Sequence, residues 1–96
     1  MKKIETSLDG AFIIEPQVFG DVRGWFYESY SKQKMHDIGI DVEFVQDNRS
    51  FSAQQGTLRG LHCQTPPMAQ TKLLTCLRGK ILDVAVDIRR GSPTYM

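Results

Sequence analysis

The chain has 96 residues, of which 41% are hydrophobic and 24% charged, enough for one globular domain or part of one. Twelve Lys and Arg against eleven Asp and Glu leave a formal charge of +1, which is not the footprint of a nucleic-acid binder. No apolar run approaches the roughly 18 residues of a membrane span. Polar residues follow Lys2 and Lys3, where a signal peptide would turn apolar. The expectation is a cytoplasmic protein with no nucleic-acid and no membrane partner. Cys63 and Cys76 form no CxxC or zinc pattern and are expected to be reduced, partly buried thiols.

Glycines are spread along the chain, and the segments between them are short and rich in β-branched and aromatic residues. That pattern predicts an all-β protein. In chain order, strands are expected at 12–14 and 24–29. One short helix follows, capped by Ser31, with Met35 and Ile38 facing inward and Gly39 ending it. Further strands are expected at 42–46 and at 57–64, the latter interrupted by Gly60. Pro66-Pro67 enforces an extended loop. Residues 72–77 and 81–88 are expected to pair as an antiparallel hairpin through Arg78-Gly79-Lys80. The last strand is the clearest: Leu82, Val84, Val86 and Ile88 share one face, the period of two expected of a half-buried strand. Gly91-Ser92-Pro93 marks a closing turn. A single sheet of short strands needs a second layer and leaves edges open, so self-association is expected on physical grounds.

The densest polar constellation is Leu58-Arg59-Gly60-Leu61-His62-Cys63-Gln64, followed by Lys72. An imidazole can accept a proton near neutrality. An ammonium beside it can stabilise a developing oxyanion or hold a phosphate. Together they are the minimal kit for removing a proton next to a carbonyl. Taken singly, each residue has a commoner role: a satisfied histidine on a sheet face, a solvated lysine at a strand end. Strict alternation puts Arg59 and His62 on opposite faces, and a bulge or bend at Gly60 is the device that would reconcile them. A second cluster runs from Asp21 to Glu28, where Arg23, Trp25 and Tyr27 alternate onto one face. An arginine beside aromatics can hold a phosphate and a stacked base, although a turn leading into a core strand is the more frequent meaning. A third is Gln46-Asp47-Asn48, whose amides can read a base edge or simply form a loop. Metal binding is weakly supported: Gln64 stands two residues after His62 where a second histidine would be needed, and His36 belongs to the expected helix.

Four stretches, taken in order, resemble one family. They are Phe19-Gly20-Asp21-Val22-Arg23-Gly24-Trp25-Phe26-Tyr27-Glu28-Ser29, Phe44-Val45-Gln46-Asp47-Asn48, Leu58-Arg59-Gly60-Leu61-His62-Cys63-Gln64 and Asp83-Val84-Ala85-Val86-Asp87-Ile88-Arg89. Collinear across essentially the whole chain, they look like dTDP-4-dehydrorhamnose 3,5-epimerases. The resemblance implies a cupin-like antiparallel jelly roll, incomplete here, with residues 1–96 as the N-terminal part of a single domain. It also implies a homodimer that uses no metal and no cofactor. Lys72 stands where metal-binding cupins carry a glutamate, so a fixed cation would replace the metal as electrophile.

By the same resemblance His62 would abstract protons from C3 and C5 of dTDP-4-dehydro-6-deoxyglucose, and Lys72 would stabilise charge on the C4 oxygen. Arg23 and Arg59 would hold the diphosphate. Glu28, Gln46, Asp47 and Asn48 would help recognise the nucleotide, and Phe19 and Phe26 would line the site. Cys63 departs from the aromatic usual in the family. The family's general-acid tyrosine and histidine-orienting aspartate have no match here, since Tyr30 and Tyr95 are out of place. Two other readings remain: a non-catalytic relative that binds a nucleotide sugar or only self-associates, and a related dTDP-sugar ketoisomerase.

Overall fold

A computed structural model describes residues 1–96. Its contacts divide the chain into two units, Met1–Asp41 with Gly79–Met96, and Val42–Arg78.

The first unit holds all the regular elements. Strands β1 (Lys2–Glu5) and β2 (Phe12–Glu15) pair antiparallel, Lys2 opposite Glu15 and Glu5 opposite Phe12. Their connection is tied by Thr6, whose hydroxyl donates to the Ala11 carbonyl at 2.7 Å and accepts from the Leu8 N–H at 3.2 Å. The Lys3 ammonium lies 4.5 Å from the centre of the Phe12 ring, a cation–π contact across the pair. Strands β3 (Val18–Asp21) and β4 (Gly24–Tyr27) form the second hairpin, Asp21 opposite Gly24 and Phe19 opposite Phe26. Its turn is closed by the Asp21 carboxylate, which accepts from the Arg23 N–H at 2.8 Å, and by Gly24, whose φ of +139° suits glycine.

Helix α1 (Lys32–Asp37) follows the expected local logic. Ser31 is extended and its Oγ accepts from the Lys34 N–H at 3.2 Å. At the other end Gly39 takes φ +85°, its N–H donates to the His36 carbonyl, and the Ile40 N–H donates to the Met35 carbonyl. That is a Schellman close, available because glycine pays no Cβ penalty there. Met35 is buried and Ile38 half-buried, as the spacing predicted.

The fold class is all-β with one short helix, but the ladders are partial. Strands β2 and β4 coincide with two expected ones, whereas β1 and β3 were not expected. Residues 42–46, 57–64, 72–77 and 81–88 form no strand, and the 72–77/81–88 hairpin is absent. Their alternation encodes a strand-compatible surface, yet no backbone ladder forms along them. The predicted inner face of 81–88 is open to solvent, Leu82 being 90% exposed. The residue buried in that segment is instead Asp87, on the opposite face. Both cysteines are free and exposed rather than partly buried.

Asp87 organises the end of the chain. Its carboxylate accepts from the Arg89 N–H and Nε, each at 2.9 Å, and from the hydroxyls of Ser92 and Thr94. Arg89 in turn donates to the Asp9 carbonyl, and the Asp9 N–H donates to Thr94 Oγ1 at 3.2 Å. This network ties the β1–β2 connection to the segment around residues 87–94. The Arg89 guanidinium, followed by the two hydroxyls, holds the Asp87 carboxyl far below the usual carboxylate range. A depressed folded value stabilises above the unfolded value, about 3.9, and is lost as pH falls through the folded one. Acidification from pH 5 toward pH 2 is therefore expected to erode amide protection at Arg89, Ser92 and Met96. Asp87→Asn is expected to lower that protection on the order of tenfold or more at neutral pH and to flatten its acid dependence, both read by hydrogen exchange.

Candidate functional site

In the first unit the β3–β4 hairpin forms a cleft of about 380 Å³ lined by Phe19, Gly20, Asp21, Arg23, Trp25 and Phe26 among others. The chain's period of two builds it. Trp25 lies opposite Gly20, which has no side chain to oppose it, and stacks on Tyr27 with ring centres 5.4 Å apart. Arg23 lies in the turn itself. Its Nη2 donates to Asp21 Oδ2 at 2.6 Å and its Nε to the same oxygen at 3.2 Å. Hydrogen bonding within the pair lowers the Asp21 carboxyl and raises the guanidinium. The Nη1 face of Arg23 is left to solvent, and the side chain is 87% exposed. A cation at the rim of an aromatic cleft suits a phosphate joined to a planar ring. Glu28 is paired with Lys34 at 3.0 Å, which links the residue after β4 to the helix.

The second unit contains His62, Lys72, Arg59, Gln46, Asp47 and Asn48, all exposed. Arg59 is held by its own loop: Nε donates to Ser52 Oγ and Nη2 to the Phe51 carbonyl, both at 3.2 Å. Gln46 Nε2 donates to Asn48 Oδ1 at 3.1 Å. His62 and Lys72 stand on either side of the turn at Thr65–Met68, which is closed by the Met68 N–H donating to the Thr65 carbonyl at 2.8 Å. No hydrogen bond or ion pair joins His62 to Lys72. Arg23 and Glu28 belong to the other unit.

The chain bends at Leu61, and Gly60 has φ +106°. Glycine is required there for a second reason. A Cβ on residue 60 would stand 3.0 Å from His62 Nδ1 and 3.3 Å from the His62 backbone nitrogen. The imidazole thus folds back over the one residue type that leaves it room. Gly60→Ala adds backbone strain of about 1–3 kcal/mol and pushes the ring away. A displacement near 1 Å costs a positioned base on the order of 10²-fold in rate. The expected outcome is a shift of the His62 ring resonances in NMR, with a matching loss in any proton transfer that relies on the ring.

Sequence reasoning gave no role to the Asp87–Arg89–Ser92–Thr94 network. Its signal was an acidic and a basic residue two apart, on one face of an extended segment. His36 lies in the helix, as expected; it is exposed and pairs with Asp41, whose hydrogen bond and charge raise the imidazole above its usual range.

Two antiparallel hairpins and a short helix define an antiparallel all-β protein with partial ladders. It bears an imidazole, an ammonium and an arginine-rimmed aromatic cleft. A family model described as dTDP-4-dehydrorhamnose 3,5-epimerase matches residues 5–96, and the chain belongs to that family. It is 51% identical over 96 residues to the dTDP-4-dehydrorhamnose 3,5-epimerase of Shigella flexneri, covering 99% of this chain and 52% of that protein. To the Methanothermobacter thermautotrophicus epimerase it is 52% identical over 92 residues, covering 96% and 49%. A crystal structure of the Bacillus anthracis epimerase with TDP and PPi bound superposes with a TM-score of 0.93 at 52% identity, over 98% of this chain and 54% of that one. The chain spans about half the length of the curated relatives it matches. The partial all-β fold is thus that of a matched portion of a cupin-like epimerase.

Proposed function

We propose that this chain supplies the base and the electrophile for epimerising dTDP-4-dehydro-6-deoxyglucose at C3 and C5, in dTDP-rhamnose biosynthesis. His62 takes the C3 proton, and the C–H electron pair moves into a C3–C4 double bond as the C4 oxygen becomes an enolate. The Lys72 ammonium stabilises that oxygen. A proton returned to the opposite face of C3 inverts the centre, and the same sequence follows at C5. Nothing is oxidised or reduced overall. The aromatic cleft beside Arg23 takes the nucleotide, with Arg59 on the diphosphate and Glu28, Gln46, Asp47 and Asn48 on the remaining polar groups. The chemistry needs no metal, since Gln64 replaces a ligand and Lys72 brings its own charge. A homodimer in the cytoplasm is part of the proposal; apolar side chains exposed outside the cleft, among them Val45 and Phe51, support the self-association.

The observation that carries this reading is the family match over residues 5–96, which contains every candidate residue. A second reading, in which this chain binds a nucleotide sugar without turning it over, rests on the arginine-rimmed aromatic cleft alone. Two measurements decide: dTDP binding by calorimetry, and deuterium incorporation at sugar C3 and C5 in heavy water. Binding with exchange supports the epimerase. Binding without exchange supports the second reading, and neither overturns both. A product whose ketone has moved along the ring identifies a ketoisomerase instead.

A further inference from the structure

Strand β3 ends at Asp21 and β4 begins at Gly24, so Val22 and Arg23 alone make the turn, with Val22 fully exposed at its tip. A long side chain in such a place ordinarily sweeps through solvent. Arg23 is instead fixed twice by one carboxylate. Asp21 Oδ1 accepts from the Arg23 backbone N–H at 2.8 Å. The same carboxylate accepts from Nε at 3.2 and 3.3 Å and from Nη2 at 2.6 Å. The Nε side of the guanidinium is thereby occupied. The outer edge, Nη1 with the second Nη2 proton, has no protein partner. That edge is the fork that can hold two oxygens of one phosphate. An exposed ion pair adds little to stability, so the arrangement matters more for where it aims the fork than for the fold.

We infer that Asp21 is a positioning residue for phosphate recognition, holding the Arg23 guanidinium side-on so that its outer edge is presented ready-formed to a phosphate whose planar ring lies in the aromatic cleft. The inference rests on the reading that places a nucleotide at this cleft. Two effects of the carboxylate oppose each other. Its grip removes the cost of ordering a flexible side chain, on the order of three- to tenfold in affinity. Its charge repels the phosphate across the guanidinium, by about two- to threefold in water at ~0.1 M salt and less at ~1 M. Positioning and charge therefore predict opposite signs on removal of Asp21, and salt separates them.

The test titrates dTDP into this chain and follows the fluorescence of Trp25, the single tryptophan, which lines the cleft. Asp21→Asn keeps an acceptor for the Arg23 N–H and so keeps the turn. It is expected to weaken dTDP binding, by about tenfold at ~1 M salt and less at ~0.1 M. Arg23→Gln is expected to weaken it by about tenfold or more, through loss of a charge-assisted pair. Lysine has no fork to align, so in an Arg23→Lys background Asp21→Asn is expected to tighten binding. A hairpin merely damaged by asparagine would bind more weakly in both backgrounds. If the unaltered chain binds no dTDP, or Arg23→Gln binds it as well as the unaltered chain, the cleft is not the nucleotide site and the inference falls with that reading. If Arg23→Gln weakens binding while Asp21→Asn leaves it equal or tighter, or weakens it equally in the lysine background, the inference alone is overturned.

Discussion

His62→Ala is expected to reduce deuterium incorporation at sugar C3 by about 10²–10⁴-fold, the usual worth of a positioned general base. Imidazole is the group in this chain suited to the task near neutral pH, since an arginine holds its proton throughout and cannot accept another. The structure gives His62 an exposed ring with no hydrogen-bond or ion-pair partner, folded over Gly60. Alanine removes the acceptor while leaving the bend intact, because the bend depends on Gly60 rather than on the ring. Binding of dTDP is expected to stay within a few-fold, since the proposed nucleotide contacts are Arg23, Arg59 and the aromatic cleft. The pairing of lost exchange with retained binding separates a missing base from a collapsed fold. Exchange at C3 that continues undiminished in His62→Ala removes this residue as the base, whatever its effect on stability.

What was legible in the sequence sorts by how local its cause is. The helix was legible end to end because each of its signals is satisfied within a few residues: Ser31 bonds Lys34, Met35 faces inward, and Gly39 adopts its left-handed turn. Strand β4 was legible because aromatic residues follow a turn built on Asp21 and Gly24. Strand β1 escaped because Lys2–Glu5 is mostly polar, and β3 because Gly20 breaks its alternation. Residues 81–88 show the opposite error. Their alternation is the strongest in the chain, yet no ladder forms along them. At the site, a bend beside Gly60 was anticipated and is present. The tie from Asp87 through Arg89 to Asp9 was not, because it joins residues about eighty apart and leaves no local pattern beyond a charge pair.

Lys72→Gln is expected to lower kcat by about 10²–10³-fold with little change in KM, a loss comparable to removing one oxyanion donor. Two roles compete for this ammonium, and they predict different kinetics. The C4 carbonyl of the ground state is neutral, and full negative charge develops on its oxygen only as the C3 proton leaves. A cation aimed at that oxygen therefore acts mainly on the transition state, so its removal depresses kcat and kcat/KM together. A cation holding the diphosphate meets the same two charges before and after proton transfer. Its removal would weaken dTDP binding and raise KM at nearly constant kcat, and the defect would deepen with salt. Glutamine keeps a hydrogen-bond donor and discards the charge, so the comparison isolates electrostatics from contact. Lys72→Arg retains the charge but spreads it over a planar fork with different reach. It is expected to recover part of kcat if the enolate is the target. A variant Lys72→Gln with unchanged kcat and weakened dTDP binding would reassign this lysine to the nucleotide and leave the enolate without a cation from this chain.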